Sequence, residues 1–224
     1  MELEILLIII IAIAGTIVQS RLNRVFSKYS RVMSPGGLTG KEVAESMLRD
    51  HGIYDVKVTH TGGYLTDHYN PSNKTLNLSD SVYNSNSVAA AAVAAHECGH
   101  AVQHATGYAF LRLRSALVPI VQFSSVFAQL AILLGIFMIN VFPILYWAGI
   151  AMFAIVFLFS LVTLPVEYNA SNRAIAWLER SNTLTVEQMD QARETLGWAA
   201  RTYLVAALSA LASLVYYLGF SRRD

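Results

Sequence analysis

Two adjacent stretches, residues 116–141 and 143–164, are mostly apolar and contain no charged side chain. Each is long enough for a helix to cross the hydrocarbon of a bilayer, which takes about 20 residues. Every backbone N–H and C=O there must be bonded within the chain, so such stretches fold as helices. Little but Asn140 separates them, and Pro119 lies near the start of the first. This predicts a tight helical hairpin that crosses twice and returns the chain to the side it left. Residues 5–18 are apolar apart from Thr16 and are followed by Arg21, Arg24, Lys28 and Arg31. A signal peptide carries its positive charges before the apolar run, whereas Glu2 and Glu4 stand here, so an uncleaved membrane helix is the expectation and a signal peptide the alternative. Residues 203–220 are mostly apolar and predict a fourth span, with burial against the other three as its alternative.

The balance of residues agrees with a membrane protein. Of 224 residues 54% are hydrophobic and 14% charged, where a soluble domain averages about 25% charged. Mean hydropathy is +0.45. A net charge of +1 suggests no nucleic-acid partner. The single cysteine, Cys98, allows no intrachain disulfide, so the redox compartment is not readable from pairing.

Between the first span and the hairpin lies a polar segment with its own punctuation. Residues 34–38 are turn-rich. Thr39 and Glu42 form a capping box that opens an amphipathic helix with Val43, Met47 and Leu48 inward, ending at Gly52. Residues 56–58 alternate like a strand, and Gly62 and Gly63 make a turn. Residues 64–69, a turn at 70–73 and residues 74–78 predict a hairpin with one exposed face. Its edge is suited to pairing with an extended peptide; packing beneath a helix is the equal alternative. Residues 84–87 supply N-cap residues for an Ala-rich helix that stops near Gly107. Residues 34–110 thus predict a small water-exposed α+β unit. A second polar segment follows the hairpin at residues 165–183, and a second capping box, Thr185 with Gln188, begins a long helix that is polar as far as Arg201.

Charge sets the expected topology. Ten Lys and Arg lie in residues 19–115 and four in residues 164–202, against Arg222 and Arg223 on the other side. The positive-inside rule places the two polar segments in the cytoplasm.

The Ala-rich helix carries His96-Glu97-Cys98-Gly99-His100. Residues four apart share one helix face, about 6 Å along the axis, so both imidazoles reach one metal ion. The glutamate between them points near the same ion without being needed as a ligand, the arrangement by which a helix holds Zn²⁺ together with a general base. Chance is the rival of so short a motif. Cys98 reads as a small helix residue facing away from the ligands.

A zinc hydrolase needs a third protein ligand and one open position. His104 continues the His face but lies about 12 Å along the helix from His96, too far for one ion; it is expected to be exposed or capping. No acid occurs between His100 and Val166, and the first afterwards is Glu167. An ionisable group at the end of a span is costly unless paired or functional, which makes Glu167 the leading candidate. Its alternative is a helix-start acid following Pro165. Asp67 and His68, on the hairpin edge, are the runners-up, or contact substrate or orient a ligand.

His-Glu-Cys-Gly-His with a later Glu resembles the gluzincin metallopeptidases, and the four-span layout is similar to HtpX-type membrane proteases. The stretches 65–71 (Leu-Thr-Asp-His-Tyr-Asn-Pro), 95–104 (Ala-His-Glu-Cys-Gly-His-Ala-Val-Gln-His) and 164–171 (Leu-Pro-Val-Glu-Tyr-Asn-Ala-Ser) resemble more closely the neutral zinc metallopeptidase family of the YugP type. The resemblance covers nearly the whole chain. It implies a bacterial membrane peptidase with one Zn²⁺ per chain held by His96, His100 and Glu167, and with Glu97 as catalytic base. Two departures stand out. HtpX-like proteins usually carry an Asp where Ser171 stands, and the YugP type leads one to expect acids where Asn70 and Asn169 stand. Asp67, His68, Asn169, Ser171 and Arg173 are therefore candidates for substrate contact or for supporting the ligands from behind. For the oxyanion, Arg173, His68 and Tyr168 are weak candidates.

The expected protein is a mainly α integral membrane protein: four transmembrane helices plus a small cytosolic α+β zincin-like unit made of the HExxH helix and a short β-hairpin sheet. Helix 1 occupies residues 1–20, the cytosolic unit 21–115, the hairpin of helices 2 and 3 residues 116–164, the segment with the third ligand 165–201, and helix 4 with a short tail 202–224. The expected activity is peptide-bond hydrolysis by a zinc-activated water and a glutamate base, on peptide or protein substrates including membrane proteins, as in membrane-protein quality control. The expected location is the inner membrane, multi-pass in the lipid bilayer, with the active site facing the cytoplasm. Oligomeric state is not readable. Three alternatives stay open: a site-2-type intramembrane protease, a zinc-stabilised scaffold, and a membrane interaction protein without metal.

Overall fold

The structure is a computed structural model and describes residues 2–220. Arg222 and Arg223, which entered the topology argument, lie outside the described residues. Six helices and three short strands follow in the order α1 (Glu2–Tyr29), α2 (Gly40–Asp50), β1 (Lys57–His60), β2 (His68–Asn70), β3 (Thr75–Leu78), α3 (Val88–Ala105), α4 (Ala109–Phe137), α5 (Ile144–Arg180) and α6 (Val186–Phe220). Four helices, within Glu4–Tyr29, Ala109–Phe137, Ile144–Arg180 and Val186–Gly219, are long and apolar enough to cross a membrane. The chain divides into two compact units: residues 1–17, 112–165 and 202–224 form one, and residues 18–111 and 166–201 the other.

In the first unit the helical hairpin is held by close backbone approach. A Cβ on Gly135 of α4 would lie 2.6 Å from the Cα of Tyr146 on α5, so no larger residue fits there. Small residues at such crossings replace the hydrophobic drive that lipid cannot supply. Tyr146 is fully buried, and its hydroxyl donates to the Tyr217 carbonyl of α6 at 2.6 Å.

The second unit is built around α3. Its residues Val88 to Ala92 are completely buried, as are Ala94, Ala95 and Cys98. Alanine gives a thin, strongly helix-forming rod that neighbours can approach on all sides. Val43, Ala44 and Met47 of α2, Leu76 and Leu78 of β3, Phe26 of α1, Trp177 and Leu178 of α5 and Ala192 of α6 close this core. The predicted caps are present. Thr39 and Glu42 form the full capping box of α2, Ser87 caps α3, and Thr185 and Gln188 exchange hydrogen bonds at the start of α6.

The sheet has the order β1-β3-β2, with β1 parallel and β2 antiparallel to β3. The expected hairpin is therefore present, but its first arm is only His68–Asn70. Leu65, at φ 56°, takes the left-handed conformation and interrupts an extended run through 64–67. Asp67 then turns back to accept the backbone N–H of Ser79 at 2.7 Å and its hydroxyl at 2.9 Å.

One expectation about the helices needs correction. Pro165 does not start a helix, because α5 runs unbroken from Ile144 to Arg180 with Pro165 inside it. A proline removes one intrahelical bond, and a long helix with apolar flanks tolerates that loss. Glu167 is thus in mid-helix, not in a first turn, and the helix-start explanation for an acid there does not apply.

Candidate metal centre

Helix α3 presents His96 and His100 on one face, one turn apart, with their rings edge to face at 4.9 Å between centroids. Glu167 comes from α5. Its Oε2 lies 3.3 Å from Nε2 of His96 and 3.5 Å from Nε2 of His100. The three residues form a group whose ligand atoms all lie within 4.8 Å of one another, and among the described residues no fourth His, Cys, Asp or Glu joins it. Glu167 is 1% and His100 7% exposed.

These distances fit zinc. Four ligands at about 2.1 Å in a tetrahedron stand about 3.4 Å apart, and 3.3 and 3.5 Å bracket that edge. Two imidazoles and one carboxylate match the donor set of catalytic zinc sites, in which a non-protein ligand takes the fourth position.

Behind the donors stands a layer of polar partners. The hydroxyl of Ser171 lies 3.0 Å from Nδ1 of His96. Oε1 of Gln103 lies 3.0 Å from Nδ1 of His100. Nε2 of Gln103 donates to the Val166 carbonyl at 2.7 Å and to Oδ1 of Asn169 at 3.0 Å. Arg173 Nε donates to the same Asn169 oxygen at 2.8 Å. With both Nδ1 atoms engaged outward, both Nε2 atoms are left for an ion, as a metal site requires.

Glu97 follows His96 on α3 and is buried. Its carboxyl is pushed up to about 7, chiefly by burial, with Glu167 and Asp67 acting in the same direction and His96 and the nearby Tyr69 backbone opposing it.

The remaining sequence candidates divide. Asn169, Ser171 and Arg173 belong to the partner layer. Asp67 and His68 do not reach the donors: Asp67 anchors Ser79, and His68 is exposed with Nδ1 against the Thr66 carbonyl at 2.9 Å. Burial raises the Asp67 carboxyl despite the Ser79 bonds. Tyr168 is exposed. His104 is neither free in solvent nor a cap, since its Nδ1 meets the Tyr69 hydroxyl at 2.7 Å. Cys98 faces α2, its thiol donating to the Ala44 carbonyl at 3.4 Å, and burial pushes the thiol well up. Gln103 was not anticipated as a partner. The available signal was an amide three residues after His100, on the same helix face.

Residues 4–222 match the family described as "Putative neutral zinc metallopeptidase". The chain belongs to that family. It is 38% identical over 202 residues to the Bacillus subtilis protein named "Putative membrane protease YugP", an alignment covering 89% of this chain and 88% of that protein. No solved structure matches the chain. At the level of the family the protein is a zinc metallopeptidase, and with its four apolar helices it is a multi-pass membrane protein.

Proposed function

We propose that the chain hydrolyses peptide bonds at a single zinc site held by His96, His100 and Glu167, with Glu97 as general base. The observation that carries this is the convergence of His96, His100 and the buried Glu167 from two helices, with Glu167 Oε2 3.3 and 3.5 Å from the two imidazole nitrogens, next to a buried glutamate. Zinc bound there lowers the pKa of water toward about 7 and polarises a carbonyl. Glu97 takes the proton of the attacking water and hands it to the leaving amine nitrogen. Three protein donors favour this reading over a zinc-stabilised scaffold, which closes its sphere with four.

Substrate enters as an extended segment. β2 is an edge strand, so a peptide paired along it runs past Glu97. The excess of Lys and Arg in residues 19–115 and 164–202 supports a cytoplasmic active site in the inner membrane. On this reading residues 21–115 and 165–201 are the cytosolic segments, residues 1–20, 116–164 and 202–224 supply the spans, and membrane proteins undergoing quality control are the natural substrates.

The test is Glu97→Gln in purified protein. It retains zinc and loses about 10²- to 10⁴-fold in cleavage of a casein or peptide substrate. A variant that holds zinc and cleaves at the wild-type rate rejects the mechanism.

A further inference from the structure

We propose that Gln103 is a positioning residue whose amide holds His100 with its proton on Nδ1 and aims Nε2 at the metal position. This rests on the reading of His96, His100 and Glu167 as zinc ligands and adds what decides the state of one of them.

A glutamine amide and a histidine ring side by side usually leave two questions open: which end of the amide faces which group, and which ring nitrogen carries the proton. Here both are settled from outside the pair. The Val166 carbonyl only accepts, so the end of Gln103 that lies 2.7 Å from it is the NH₂. Arg173 only donates, so the atom of Asn169 facing it is the carbonyl oxygen, and that same oxygen again demands the NH₂ of Gln103 at 3.0 Å. Two independent fixed points, an acceptor-only peptide and a donor-only guanidinium, impose the same orientation. Both amide hydrogens of Gln103 are then committed to α5, and Oε1 is left facing Nδ1 of His100 at 3.0 Å. That nitrogen must donate. In neutral His100 the lone pair is therefore on Nε2, the atom 3.5 Å from Glu167.

The lock also measures position. Gln103 is completely buried and grips the carbonyl of the residue immediately before Glu167. One side chain thus references a ligand of α3 to the backbone that carries the ligand of α5. His96 has no equivalent: its Nδ1 partner is the Ser171 hydroxyl, which both donates and accepts and so leaves the ring's proton undetermined. In carboxylate-supported sites an acid performs this task. Here a neutral amide does so, with its polarity set by Arg173 through Asn169.

The experiment compares wild type with Gln103→Met, which keeps length and loses every hydrogen bond, and with Arg173→Met, which removes the outer fixed point and leaves the buried residue in place. Zinc affinity of the detergent-purified full chain is measured by competition with a chelator. Gln103→Met is expected to weaken zinc by about 10- to 100-fold, and Arg173→Met by less. In zinc-loaded protein labelled with ¹⁵N-histidine, wild-type His100 is expected to show a slowly exchanging Nδ1–H that is displaced in Arg173→Met and lost in Gln103→Met. General loosening of the packing would not move this signal selectively. His100 bound through Nδ1, or the same Nδ1–H and zinc affinity in all three proteins, overturns the proposal. Wild type that takes up no zinc overturns the metal reading itself, a distinguishable result.

Discussion

Gly99 and Ala170 meet backbone to backbone: a Cβ on Gly99 would lie 2.5 Å from the Ala170 carbonyl oxygen and 3.0 Å from its Cα. The contact falls between His96 and His100 on α3, and three residues beyond Glu167 on α5. It sets how closely the two helices approach, and so whether the carboxylate reaches the two rings. The unspecified fourth position of the H-E-x-x-H pattern is thus a spacing element in this chain.

Gly99→Val is accordingly expected to push α5 away from α3. Overpacking of this kind costs about 1–3 kcal/mol, and the displacement falls on the donor group. Thermal unfolding and zinc affinity should both fall. A valine variant with the wild-type melting curve and zinc affinity would show that this contact does not set the site.

Removing the carboxylate tests the donor assignment directly. Glu167→Ala should weaken zinc by more than the roughly 10- to 100-fold typical of outer partners. His104→Ala is the control. It loses the Tyr69 hydroxyl contact and no donor, so its zinc affinity should match wild type in the same chelator titration. Equal losses in the two variants would reject Glu167 as the third ligand.

Asp67 carries a pH signature opposite to that of most acids. Burial raises its carboxyl above the ordinary value of 3.8, so between that value and the raised one the folded chain binds more protons than the unfolded chain. Stability from this group therefore increases as pH falls through the raised value, and is lowest at neutral pH, where the buried carboxylate is charged. Asp67→Asn keeps an acceptor for the Ser79 N–H and removes the charge. Melting of zinc-free protein between pH 4 and 7, a range of about three units around the acid region, should be less pH-dependent in this variant. A steeper dependence would refute the sign.

Tyr146→Phe probes the membrane helices separately from the metal. The variant loses the hydroxyl bond to the Tyr217 carbonyl, a contribution of about 0.6–1.7 kcal/mol between membrane helices. A lower unfolding midpoint with wild-type zinc affinity is expected. Loss of zinc in this variant would contradict the assignment of the site to residues 18–111 and 166–201.

Much of the architecture was legible because its causes are local. Uncharged stretches of membrane length become helices whatever surrounds them, and Thr39-Glu42 and Thr185-Gln188 cap the helices they precede. The strand at 64–67 was misread because Leu65 takes a left-handed conformation, which nothing in an alternating sequence announces. The helix-start alternative for Glu167 fails because the usual cost of Pro165 in a helix interior is outweighed here by a long, apolar-flanked α5.

The same division holds at the site. The four-residue spacing of His96 and His100 follows from helix geometry alone, and the acid-free run after them left Glu167 as the next acid along the chain. No local rule could show that Gln103 would face His100, that Ser171 would meet His96, or that the backbone of Tyr69 would come near Glu97. These contacts join α3 to α5 and to β2, elements far apart in sequence, and their hydrogen-bonding polarity depends on which groups arrive on the opposite side. The sequence by itself determined which atoms are available to a metal and on which helices they stand. Only the tertiary structure, through the close approach at Gly99 and Ala170, decided that they converge to within 4.8 Å of one another.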